Sequence, residues 1–214
     1  MHNMETIWVN PGYGRKGFSD KELKDIAISV LVLSIAFTLI YARRATGFFS
    51  DDFAVNAALW FATSVLIVSV CFLLHEFGHK FVAQRYGAWA EYRMFPQGLL
   101  FCLVLSVFGF LFAAPGAVMI SGYIDDKRNG VISIAGPAVN LTLGAIFIGL
   151  LFVTTGRLQD VFYLLAHFNV FLAVFNLIPI PPLDGSKVLK WNVPVYITTA
   201  IIAVAMLALF YIGW

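Results

Sequence analysis

Charge is the scarcest ingredient of this chain. Asp, Glu, Lys and Arg make up 12% of its 214 residues, about half the share usual in soluble globular proteins. The net charge is only +2, and no run of Lys or Arg exceeds a pair, which excludes a surface built to grip a nucleic-acid backbone. Two cysteines, Cys71 and Cys102, exclude a disulfide framework, and both lie in apolar stretches where a small packing residue is expected. A cleavable export signal is not expected either. Met1 to Asp25 is polar and no small-residue cleavage pattern follows it closely, so the first apolar run is expected to be retained. Internal repeats and low-complexity tracts are lacking as well.

Apolar sequence fills the space that charge leaves. Hydrophobic residues make up 60% of the chain and the mean hydropathy is +0.85, values that belong to an integral membrane protein. Runs long enough to cross a bilayer as helices are Ile26 to Ala42, Phe53 to about Gln84, Val131 to Val153, Val161 to Ile180 and Val193 to Trp214. Ser19 with Glu22 three residues later is a capping-box pattern that starts a helix near Asp20. No segment is left for a separate extramembrane domain. The expected architecture is a single membrane-embedded domain over residues 1–214, with a cytoplasmic N-terminal segment at 1–25 and a final transmembrane helix at 193–214.

The second apolar run ends in His75-Glu76-Phe77-Gly78-His79. On a helix, positions i and i+4 share a face, so both imidazoles can bind one metal ion. Glu76, offset by about 100°, can address the metal's water without being a ligand. Three unpartnered ionisable groups at membrane depth would be costly, which argues for a functional site. Such a site needs a third protein ligand. His2 sits in the polar tail, and His167 lies nine residues before Asn176, about 180° around that helix, so it reads as structural. Asp184, after Pro179, Pro181 and Pro182 have ended a helix, can reach inward without a helical backbone restricting it.

Leu99 to Ile120 carries no charge and by length alone would span. For His75, His79 and Asp184 to meet, the chain between Lys80 and Asn129 must leave and re-enter at one membrane surface. Gly109, Pro115, Gly116 and Gly122 supply breaks for a re-entrant helix followed by a returning extended strand. Charge tests this topology independently. Arg15, Lys16, Lys21, Lys24, Lys80, Arg85, Arg93, Lys127, Arg128, Lys187 and Lys190 lie toward the metal-site end, against Arg43, Arg44 and Arg157 opposite. Eleven against three turns that end to the cytoplasm by the positive-inside rule. The fold class expected is an all-α polytopic membrane protein of about five to six transmembrane helices, with a re-entrant helix/β segment between the motif helix and the next span.

With these residues in hand, the chain resembles the site-2 protease family of intramembrane zinc metalloproteases. His75-Glu76-Phe77-Gly78-His79 fits the family's H-E-x-x-H, Asn176 with Pro179 and Asp184-Gly185 fits its N-x-x-P-x-x-x-x-D-G, and Gly136 with Asn140 fits its G-x-x-x-N. The resemblance covers about 53–185 as a catalytic core. It implies one zinc ion held by His75, His79 and Asp184, with Glu76 as catalytic acid/base and Asn176 and Asn140 orienting substrate or stabilising the oxyanion. The implied partners are transmembrane-helix protein substrates and the lipid bilayer, in a prokaryotic plasma membrane. Appended PDZ or nucleotide-sensing domains of some relatives have no room here. Two other readings stand beside it. One is a zinc transporter, whose H-E-x-P-H motif differs at Phe77-Gly78. The other is a non-catalytic relative that binds membrane helices, which retention of Glu76 disfavours.

Overall fold

The computed structural model describes residues 17–46, 53–110 and 115–212. The stretch Pro11 to Lys16, His2, the Asp51/Asp52 loop, the side chains of Arg43 and Arg44, and Trp214 lie outside the described residues. In chain order the elements are α1 (Asp20–Thr46), α2 (Phe53–Ile67), a π-helical segment (Val68–Leu73), α3 (Leu74–Arg85), β1 (Trp89–Met94), α4 (Pro96–Val107), β2 (Gly116–Ser121), α5 (Asp126–Leu151), α6 (Gly156–Asn176), α7 (Asp184–Trp191) and α8 (Val193–Ile212). Among the described residues five stretches are long and apolar enough to cross a membrane: Asp20–Tyr41, Asn56–Arg85, Asp126–Leu151, Arg157–Asn176 and Val193–Ile212. This is an all-α polytopic integral membrane protein with one small sheet.

Leu99 to Ile120 does not span. Pro96 at the first turn starts α4, which stops after 12 residues, too short to cross, and Gly109 follows with a φ of 87° that ends the helix. The chain returns as β2, antiparallel to β1 with Val118 opposite Tyr92. β1 was not expected from the sequence, although Ala90-Glu91-Tyr92-Arg93-Met94 alternates apolar and charged residues as a short strand does. Pairing satisfies backbone groups that lipid could not. The core holding this region is apolar and crosses five elements. Leu33, Ala36 and Phe37 of α1 meet Ile67, Val68 and Cys71, Leu99 and Cys102 of α4, and Leu165 of α6.

Two helix ends differ from expectation. The fourth span stops at Asn176 rather than Ile180, and Asp184 does not sit on free backbone but opens the eight-residue α7. Gly185 makes this turn possible, because a Cβ there would collide with the carbonyl of Leu177 and lie 2.8 Å from that of Ile178.

Candidate metal centre

α3 enters the motif from the π-helical segment and carries His75, Glu76 and His79 inward, all buried. Each imidazole is oriented through its Nδ1. That of His79 lies 2.8 Å from the carbonyl oxygen of Ile132, and that of His75 lies 2.6 Å from Oδ1 of Asn140. The orientation of Asn140 is fixed by its other end. Its Nδ2 donates to the carbonyl of Cys71 and to Oδ1 of Asn169, both at 2.8 Å, while Nδ2 of Asn169 donates to the carbonyl of Leu165 at 2.8 Å. Oδ1 of Asn140 therefore faces His75, and both histidines meet only acceptors at Nδ1. Each must carry its proton there, leaving a lone pair on Nε2.

Those two lone pairs converge on one carboxylate oxygen. The Nε2 atoms are 3.1 Å apart, and Oδ2 of Asp184 lies 3.1 Å from that of His79 and 3.4 Å from that of His75. Two ligands each about 2.05 Å from a tetrahedral ion are about 3.3 Å apart, so the three atoms have the spacing of one tetrahedral face. A single proton could bridge only one edge of this triangle; a divalent cation serves all three. Oδ1 of Asp184 turns the other way, 3.6 Å from Nζ of Lys187. Glu76 stands beside the triangle and accepts the backbone N–H of Val118 in β2 at 3.1 Å.

α5 makes room for this. A Cβ at Gly136 would lie 2.6 Å from Nε2 of His75 and would collide with Nε2 of His79, and a Cβ at Gly78 would lie 2.9 Å from the carbonyl oxygen of Ala135. The two glycines let α3 and α5 press together at the imidazoles. Pro137, inside α5, lacks the N–H that would bond to Ser133, which loosens the turn whose neighbouring carbonyl, Ile132, holds His79.

Comparison with known proteins accords with this donor set. The model described as Peptidase family M50 matches residues 152–210. A Methanocaldococcus jannaschii protein named Putative zinc metalloprotease MJ0611 is 41% identical over 179 residues, which cover 82% of this chain and 86% of that protein. The chain belongs to peptidase family M50. Putative zinc metalloprotease YwhC of Bacillus subtilis is 32% identical over 154 residues, 61% of this chain and 68% of that protein. Putative zinc metalloprotease Rip2 of Mycolicibacterium smegmatis is 30% identical over 142 residues, 58% of this chain and 54% of that protein. No solved structure matches the chain. Membership makes this M50 peptidase a zinc metalloprotease, and His75, His79 and Asp184 form a possible metal site within it.

The other candidate residues of this M50 peptidase fall out differently. Asn140 was expected to touch substrate or oxyanion; instead it is fully buried, with its oxygen on His75 and its amide on Cys71 and Asn169. Both ends of its amide are engaged within the protein. Asn176, half-buried at the end of α6, donates to the carbonyl of Leu172 at 3.0 Å and has no hydrogen bond to the triangle among the described residues. His167 lies in an aromatic nest of Tyr163, Phe168 and Phe210, away from the triangle, and its buried Nδ1 has no hydrogen-bond partner among the described residues. Sequence reading missed Ile132 and Asn169 as supports of the site, and found Gly136 only as a motif position without the close approach it allows. The first acts through its backbone and leaves no side-chain signal. Asn169 could have been found, because a second asparagine in an apolar span must seek a partner.

Proposed function

We propose that this peptidase is an intramembrane-cleaving zinc metalloendopeptidase, which hydrolyses a peptide bond within or next to a transmembrane helix of membrane-protein substrates. The observation that carries the reading is the triangle of Nε2, Nε2 and Oδ2 with both Nδ1 atoms held by acceptors. Its donor set and spacing fit zinc, with His75, His79 and Asp184 as ligands. Zinc bound there would acidify a water toward neutral pH and polarise the scissile carbonyl.

The protein's own residues do the rest. Glu76 takes the proton from the attacking water and returns it to the leaving amine. Asn140 holds His75 in the Nδ1–H tautomer, keeping Nε2 free for the ion. Asn176 has a second amide hydrogen beyond the one given to Leu172, and that hydrogen is the donor offered to the substrate or the oxyanion. β2 receives the substrate. Val118 donates outward to Glu76 and Tyr92 donates outward to Glu22, so this opposed pair is not hydrogen-bonded across the sheet. Gly116, Val118 and Ile120 therefore turn their N–H and C=O groups away from β1. A substrate helix has its amides satisfied internally and must unwind before it can add to that edge, which Gly, Pro or Asn in the substrate would ease.

The positive-inside count supports a site facing the cytoplasm of a prokaryotic plasma membrane. Lys80 is buried against Glu22 and leaves the count; ten of the eleven remain against three. Transport would call for further stepping sites, and His75, His79 and Asp184 are the one such group found among the described residues.

The test is cleavage, by purified protein in detergent, of a panel of single-span helices with and without Gly, Pro or Asn interruptions, beside Glu76→Gln and with zinc measured in both. Cleavage by wild type alone, at equal zinc, is the expected result. Cleavage by both, or wild type lacking zinc, would overturn the reading; zinc flux into liposomes without any cleavage would favour the transporter.

A further inference from the structure

A second buried polar cluster lies outside the metal centre. Glu22 of α1 and Lys80 of α3 are both fully buried and form an ion pair. Lys80, next to the ligand His79, also donates to the carbonyl of Gly17 at 2.9 Å and caps the ring of Phe18 at 4.0 Å from its centroid. The Ser19 hydroxyl accepts the N–H of Glu22 at 3.2 Å, half of a capping box. The other half is not made. The Glu22 carboxylate turns away from its own helix end and spends Oε2 on Lys80 and Oε1 on the backbone N–H of Tyr92, at 2.8 Å.

Tyr92 is the residue opposite Val118. The two-stranded sheet is thus gripped by a carboxylate on each outer edge at the same cross-strand pair, Glu22 on β1 and Glu76 on β2. The contacts close a ring: α3 through Lys80 to Glu22, across Tyr92 and Val118, and back to α3 at Glu76. α3 also reaches the same edge of β1 at Gln84, whose Nε2 donates to the carbonyl of Ala90 at 3.2 Å. Glu22 is thus the anchor at the cross-strand pair that faces Glu76, while Gln84 holds the strand at the next outward-facing residue. A strand edge offers equivalent groups every second residue, so the two together set the sheet's height along α3.

We propose that Glu22 is a positioning residue for hydrolysis, acting as the acceptor that pins Tyr92 and so fixes the outer edge of β2 against Glu76. This rests on the protease reading above, in which β2 receives the substrate. Lys80 serves to keep that carboxylate in place. The side chain of Tyr92 is tied to α1 separately, through its hydroxyl to Ser29 at 2.9 Å, so losing the backbone contact lets β1 shift without freeing it.

Two double variants separate the acceptor from the ion pair. Glu22→Gln/Lys80→Met keeps an oxygen for the Tyr92 N–H and removes both charges; Glu22→Met/Lys80→Met removes the oxygen as well, at matched size. The probe is a model single-span helix with an Asn-Pro interruption. The expected result is that both doubles hold wild-type zinc, and that the Met/Met protein loses about 10- to 100-fold in kcat with KM within about twofold, since a misplacement near 1 Å costs about that much. Gln at position 22 should rescue most of the loss. Hydrogen exchange is read in the same proteins: amides of residues 116–121 should exchange faster in Met/Met than in Gln/Met, with α5 and α6 unchanged. Equal kcat in the two doubles, equal exchange at 116–121, or loss of zinc and fold in both would overturn the proposal. If wild type does not cleave the probe, the protease reading fails at that point, while the exchange comparison still decides whether Glu22 anchors the sheet.

Discussion

Two buried polar clusters share α3, and they treat charge in opposite ways. Around Lys80, donors and acceptors match: one cation, one carboxylate, and backbone groups of Gly17 and Tyr92 that complete both. Around His75 and His79, three acceptor atoms crowd within 3.4 Å of one another with no proton assigned between them. Burial alone therefore does not mark a functional site. A local deficit of positive charge does, because low dielectric makes an unbalanced cluster costly unless a cation completes it.

Emptying one vertex of the unbalanced cluster should have the largest effect. Asp184→Ala is expected to abolish both zinc retention and cleavage; full zinc content after dialysis would break the comparison. Cutting the balanced cluster in half comes next. Lys80→Met alone leaves Glu22 charged and buried, at about 3–5 kcal/mol of stability, measured as a lowered denaturation midpoint. Asn140→Leu frees Nδ1 of His75 and should weaken zinc binding about 10- to 100-fold, read by competition with a chelator. Removing both charges with Glu22→Met/Lys80→Met should cost far less stability than removing one, since apolar replacement of a whole buried pair is often near neutral. A double as unstable as the single would show that the cluster is not balanced.

The smallest effect lies at Glu91, within β1. Burial pushes the Glu91 carboxyl up, but donation from Arg93 and from the Ser19 hydroxyl outweighs this and holds it below its ordinary value. A depressed carboxylate contributes stability above its unfolded pKa and loses it as pH falls through the folded one. Unfolding midpoints of wild type and Glu91→Gln should therefore converge as pH drops below about 4 and separate above it. A constant difference would remove the assignment.

Legibility in the sequence followed the range of the interaction. H-E-x-x-H could be read because both histidines and Glu76 are placed by one helix, and the breaks at Gly109 and Pro115 were readable for the same local reason. β1 was missed although Ala90 to Met94 alternates, since five residues are a short signal and the partner strand β2 lies more than twenty residues further along the chain. Asn140 was found by its place in a motif, yet its partner was misjudged. The sequence offers an amide with two donors and an acceptor, and only packing against α3 and α6 decides which atoms they meet. Glu22 shows the same thing in reverse, reading as half of a local cap while its carboxylate is taken by Lys80 and Tyr92.

Sequence by itself determined that this chain lives in a bilayer, because runs without charge admit no other solvent, and that it carries zinc-protease donors in helical register. Tertiary structure decided that those donors make one site. Closing the triangle required Asp184 to arrive from beyond α6, Gly136 to let α5 approach, and acceptors on α5 to fix both tautomers. Each is a contact between elements far apart in the chain, and helical periodicity carries no information about which helix stands next to which.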